Sequence, residues 1–124
     1  MFQTITTSAK NKELVTKLTN SFGLGAENII ARLALAHSLA TGIKLQLKDI
    51  ADSKGKSYSS KTLLGDYSAF YIALICQHYG IYKLDKDVSK YMKMHIDHGL
   101  IELESYANSD GLDFLISEVE KGLE

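Results

Sequence analysis

Apolar residues recur along this chain at intervals of three and four, and only two short stretches alternate. FQTIT (2 to 6) alternates and predicts a short strand. From about 9 to 22, Leu14, Val15, Leu18 and Phe22 share one face of a helix that Thr7 or Ser8 is placed to cap. AENIIARLALAHSLAT follows almost at once, and DYSAFYIALICQHY (66 to 79) carries still fewer polar groups. Helices apolar on most sides are buried on most sides. These two are therefore expected at the centre of the core, with one of them also meeting another subunit, so a homo-oligomer is expected. Between them, Ile43, Leu45 and Leu47 alternate with Lys44, Gln46 and Lys48, which suits an edge strand or an extended arm. In DKDVSKYMKMHIDH (85 to 98), Val88, Tyr91, Met92, His95 and Ile96 form one face, with Lys86, Lys90, Lys93 and Asp97 on the other. SDGLDFLISEVEKGL (109 to 123) has helical spacing behind an acidic face.

There is no proline, and Gly23, Gly42, Gly80 and Gly99 each follow a helical segment, as helix C-termini require. The expected fold is mainly α, a compact helical domain with a short N-terminal strand and a lysine-rich extended arm. A strand followed by two helices is the order of a ribbon-helix-helix element.

With 124 residues and 45% hydrophobic content, one domain is expected, over 1–106, followed by an acidic tail helix over 107–124. The lone Cys76 leaves no partner for an intramolecular disulfide and fits a reducing, cytoplasmic setting. No signal peptide or membrane-length apolar run is visible. The net charge of −1 hides an asymmetry. Residues 1–100 hold 13 basic and 8 acidic side chains, a balance of +5, whereas 101–124 hold one and seven, a balance of −6. A basic body implies an anionic partner.

SKGKSYSSK (53 to 61) ends its GKS like a phosphate-binding P-loop, but the first glycine of that motif is replaced by Ile50, and the nearest upstream glycine is Gly42. The loop therefore reads as a cationic, hydroxyl-rich arm with Gly55 as its bend. Cys76, His78, His95 and His98 are zinc-ligand types, yet Cys76 and His78 diverge by roughly 200° on a helix, so no metal is expected. His98 falls at the expected helix end, where it would meet the macrodipole. Asp49 and the Asp52-Ser53-Lys54 run are a fragment of a metal-dependent phosphodiesterase pattern. No catalytic residue and no cofactor is assigned. The lysines form three groups: Lys10, Lys12 and Lys17; Lys44, Lys48, Lys54, Lys56 and Lys61; and Lys86, Lys90 and Lys93. Lysines without arginines suit contact with the nucleic-acid backbone rather than with bases.

LGAENIIARLALAHSL (24 to 39), KLQLKDIADSKGKSY (44 to 58), FYIALICQHYGIYKLDKD (70 to 87) and YMKMHIDHGLIEL (91 to 103) together resemble the DndE family of the bacterial DNA sulfur-modification, or phosphorothioation, system. The resemblance covers most of residues 1–103. It implies a small helical DNA-binding subunit, homotetrameric and with a preference for nicked duplex, acting beside the other proteins of that system. The alternatives are a metal-dependent nickase of the same system and an adaptor that binds protein rather than DNA.

Overall fold

The structure, a computed structural model, describes residues 4–23 and 25–107. The acidic tail helix expected over 109–123 lies outside the described residues. Strand β1 (Thr4–Thr6) pairs antiparallel with β2 (Ser57–Ser59) of the same chain, with Ile5 and Tyr58 opposite each other and both buried. The strand-helix-helix order is thus present, and the ribbon is completed from within the chain. The loop before β2 is held down as well: Gly55 N–H donates to Thr7 O at 2.9 Å, and Thr7 N–H to Lys56 O at 2.9 Å.

Helix α1 (Lys12–Phe22) follows a 3-10 turn at Ala9–Asn11 and buries Leu14, Val15, Leu18 and Phe22, as its periodicity predicts. The expected hydroxyl cap does not form. Thr7 Oγ1 is engaged with the backbone of Lys56, and Ser8 Oγ, though buried, has no partner. Helix α2 (Glu27–Ala40) lies at the centre and packs most extensively on α5 (Val88–Ala107). Ile30, Ala31, Ala34 and Leu35 of α2 meet the α5 layer of Met92, Ile96, Leu100 and Leu103 in one core. Each fully buried large aliphatic side chain there contributes about 1.5–3 kcal/mol relative to exposure.

Gly99 does not end a helix. It sits inside α5, where a Cβ would come within 2.0 Å of the Ala34 carbonyl oxygen, so its lack of a side chain is what lets α5 lie against α2. Because α5 runs on to Ala107, His98 is mid-helix and away from any macrodipole end. Gly23 and Gly80, by contrast, are left-handed helix ends as expected, at φ 66° and 65°.

Two further expectations need correcting. Residues 43–47 form no strand; the chain there is coil leading to a 3-10 turn at Leu47–Asp49. Helix α4 (Ser68–Tyr79) is not at the centre of the core, since Ile75 is its one fully buried residue. It packs on α5, with Tyr79 stacked on Tyr91, and on the short helix α3 (Ser60–Leu64), which buries Leu63 and Leu64 and is capped by Ser59 Oγ accepting from Thr62 N–H. The single arginine, Arg32, fixes that helix to α2, its Nε donating to Leu63 O at 2.7 Å.

Candidate nucleic-acid interface

Lysines far apart in sequence converge where the N-terminal 3-10 turn, the 43–51 segment and α5 meet. Lys10, Lys44 and Lys48 line one open cleft of about 510 Å³, with His98 and Met94 on its α5 wall. Each of the three is exposed, and among the described residues none of them is held in an ion pair. Lys44 owes its position to α4. His78 Nε2 donates to Ile43 O at 2.6 Å, and Leu45 N–H donates to Tyr79 Oη at 2.9 Å, so the arm is pinned on both sides of the lysine.

Asp97 also lines this cleft, but it does not act as a bare negative charge. Its carboxylate accepts from Lys93 Nζ at 2.6 Å, Asn11 Nδ2 at 2.8 Å and Ser8 N–H at 3.0 Å. Lys93 is therefore a correction to the lysine stripe. It is 6% exposed, turned inward to neutralise Asp97 across one helical turn, and no phosphate can reach it without breaking that pair. Asp49 is the remaining carboxylate on the cleft.

Lys12, Lys17 and Lys56 line a shallower groove of about 380 Å³ along α1. Lys56 is partly compensated by Glu27 at 3.4 Å, and Glu27 also accepts from Thr16 Oγ1. Lys54 lies on the turn organised by Asp52, whose Oδ1 accepts the N–H groups of Ala9 and Lys54. The Ala9 bond foremost, and the Lys54 bond after it, hold the Asp52 carboxyl below its ordinary range. Gly55 is a point of close approach more than a bend, because a Cβ there would meet Ser8 O at 2.3 Å.

The structure does not bring the rest of the lysines into this assembly. Lys61 is exposed on α3, Lys90 pairs with Asp87 at 3.5 Å, and Lys86 borders a separate groove with Lys83, which the sequence reading did not single out.

Behind the cleft lies a buried polar chain that joins three helices. Tyr79 Oη is 2.6 Å from His95 Nε2, and His95 Nδ1 is 2.7 Å from Ser38 Oγ. Ser38 Oγ is in turn 2.8 Å from His98 Nδ1. One assignment of protons gives a donor and an acceptor to every link. Tyr79 accepts from Leu45 and donates to His95, whose Nδ1–H donates to Ser38, which donates to His98. This requires a neutral His95. Burial first, then the charges of His78 and His98, lowers its pKa to about 4. His95 and His98 are three apart and share a face, which the spacing shows, but nothing in the sequence links them to Ser38. Cys76 faces elsewhere: it borders an apolar groove with Ile72 and Ile81, whereas His78 reaches toward Ile43.

Among the described residues, no helix is long and apolar enough to cross a membrane.

The comparisons agree with this architecture. The solved structures that match it include DndE from Escherichia coli B7A, involved in DNA phosphorothioation modification, at 20% identity and a TM-score of 0.67, and a DndE variant with two glycines replaced by lysine, at 19% and 0.69. Each match covers 83% of this chain and 98% of the other, and at these identities the likeness carries the fold. No curated protein matches the chain. The profile of the DNA sulphur modification protein DndE matches residues 4–110, and the chain therefore belongs to the DndE family of the DNA phosphorothioation system.

Proposed function

We propose that this protein is the DNA-binding subunit of its phosphorothioation system, that it contacts the sugar-phosphate backbone, and that it prefers nicked duplex. The observation that carries this reading is the convergence of Lys10, Lys44 and Lys48 on one cleft, together with Lys12, Lys17 and Lys56 on the α1 groove and Lys54 on the Asp52 turn. Seven ammonium groups drawn from four chain segments make a sequence-independent anion surface, and the one arginine is committed to α3. Lys61, Lys86 and Lys90 belong to this proposal as outlying charges. Lys93 does not.

The working unit is a homo-oligomer that meets the other proteins of the system through α4. Tyr67 and Phe70 at its start are 60% and 58% exposed, and Tyr82 and Leu84, which share a groove with Ser68 and Ile72 of α4, are 68% and 73% exposed. An apolar surface of that extent on a helix end is characteristic of an interaction site. Light scattering at micromolar concentration checks this, and a strict monomer would contradict it.

The DNA reading is tested by fluorescence anisotropy with one duplex in intact and singly nicked forms, without metal, at several salt concentrations. The expected result is tighter binding to the nicked form and a log–log salt slope corresponding to several displaced counterions. Equal, salt-insensitive or absent binding would refute it.

A further inference from the structure

The cleft between the 43–51 segment and α5 differs in shape from the lysine surface along α1. The phosphodiesters of a duplex lie on a convex cylinder, and they can be followed by lysines on a shallow surface such as that of Lys12 and Lys17. A recess with Met94 and His98 on one side and Lys44 and Lys48 on the other favours a group that ends a strand and projects from it. Its charge favours a dianion. Lys10, Lys44 and Lys48 outnumber Asp49 on the lining and Glu102 beside His98, because Asp97 is neutralised by Lys93.

The wall also supplies an imidazole donor. With Nδ1 accepting from Ser38, His98 carries its proton on Nε2. That atom is 3.7 Å from Glu102 Oε1, beyond hydrogen-bonding distance, and the ring is partly exposed. The same chain that sets this tautomer, through His95 and Tyr79, fixes Leu45 and with it Lys44. The two walls of the cleft are thus held by one buried network.

We propose that this cleft is a phosphomonoester site, which takes the terminal phosphate of a DNA strand at a break, with Lys10, Lys44 and Lys48 as its cations and His98 Nε2–H as a hydrogen-bond donor. The proposal rests on the DNA-binding reading above and gives nick preference a place in the molecule. The same dianion chemistry is shared by a 5′-phosphate, a 3′-phosphate and free inorganic phosphate.

The test uses the full chain and one singly nicked duplex in three forms: a 5′-phosphate, a 3′-phosphate, or hydroxyls on both sides of the nick. The expected result is that one phosphorylated nick binds about five- to tenfold more tightly than the hydroxyl nick, as one further charge in a partly enclosed basic site requires. Lys44→Ala with Lys48→Ala should abolish that difference among the three nicks, beyond the common weakening of all three and of intact duplex that loss of two surface cations brings. Inorganic phosphate should shift the imidazole NMR signals of His98 in the wild type and not in His98→Gln. Equal binding of all three nicks, with DNA binding intact, overturns the terminal-phosphate site and leaves the DNA-binding reading standing. If no DNA binds, a saturable shift of His98 with inorganic phosphate supports a free-phosphate site, and its absence overturns the site altogether.

Discussion

Helices α4 and α5 invert what their compositions suggest. Between Met92 and Leu100, α5 carries Lys93, His95, Asp97 and His98, yet every residue of that stretch except His98 is buried. Helix α4 reads SAFYIALICQHY and keeps only Ile75 from solvent completely. The difference lies in pairing. Lys93 and Asp97 neutralise each other, Asn11 and Ser8 complete the Asp97 shell, and His95 is kept neutral between Tyr79 and Ser38. Ionisable groups so satisfied can enter a core, whereas an apolar helix stays exposed where none of the described elements of its own chain covers it.

The largest effect should come from the closest contact. Gly99→Val would place side-chain atoms against the Ala34 carbonyl and force α5 off α2, and we expect a loss of more than about 3 kcal/mol or failure to fold. Chemical denaturation checks this, and a loss below about 1 kcal/mol would mean that the helices separate easily. Breaking the buried pair comes next. Lys93→Ala leaves Asp97 without its counter-ion and should cost about 3–5 kcal/mol, while Lys44→Ala and Lys48→Ala should stay within about 0.5 kcal/mol of wild type. If Lys93→Ala were as mild as they are, Lys93 would belong with the surface lysines after all.

The buried histidine gives a smaller, pH-dependent effect. The folded pKa of His95, about 4, lies below its ordinary 6.5, so as pH falls the unfolded chain takes up the proton first. The stability associated with a neutral His95 is complete above about pH 6.5 and is lost between there and about pH 4, by about 1–3 kcal/mol. Thermal melts from pH 7.5 to 4.5 should show this decline, and it should be shallower in His95→Gln. The smallest effect belongs to α4. Phe70→Ser should change the stability of the isolated fold by less than about 0.5 kcal/mol yet reduce self-association in light scattering. A strongly destabilised variant would instead place Phe70 in the core.

These contrasts show which features the linear sequence encodes. The α1 face of Leu14, Val15, Leu18 and Phe22 and the α5 face of Val88, Tyr91, Met92, His95 and Ile96 follow directly from helical spacing, and both are buried except for the half-buried Tyr91. Tertiary partners are another matter. Gly99 resembles a helix stop because glycine serves both chain reversal and close packing, and only the position of Ala34 separates the two. Lys93 resembles a solvated lysine because its i,i+4 partner Asp97 could lie on either face. The segment 43–47 alternates like a strand, but its hydrogen bonds go to Tyr79 and His78 rather than to a neighbouring strand. For the candidate site, the charges were legible and their assembly was not. No local pattern joins Lys10 to Lys44 and Lys48, because that proximity arises from β1 pairing with β2 and from the pinning of the arm to α4.

The most direct test of the account measures nicked-duplex affinity against salt for the wild type and for the variant carrying Lys10→Ala, Lys44→Ala and Lys48→Ala, with folding verified by circular dichroism. The account predicts that the folded variant binds at least about tenfold more weakly and that its salt slope falls by about two to three counterions. Unchanged affinity and slope in a folded variant would contradict it, and the cleft would then be no part of a nucleic-acid interface.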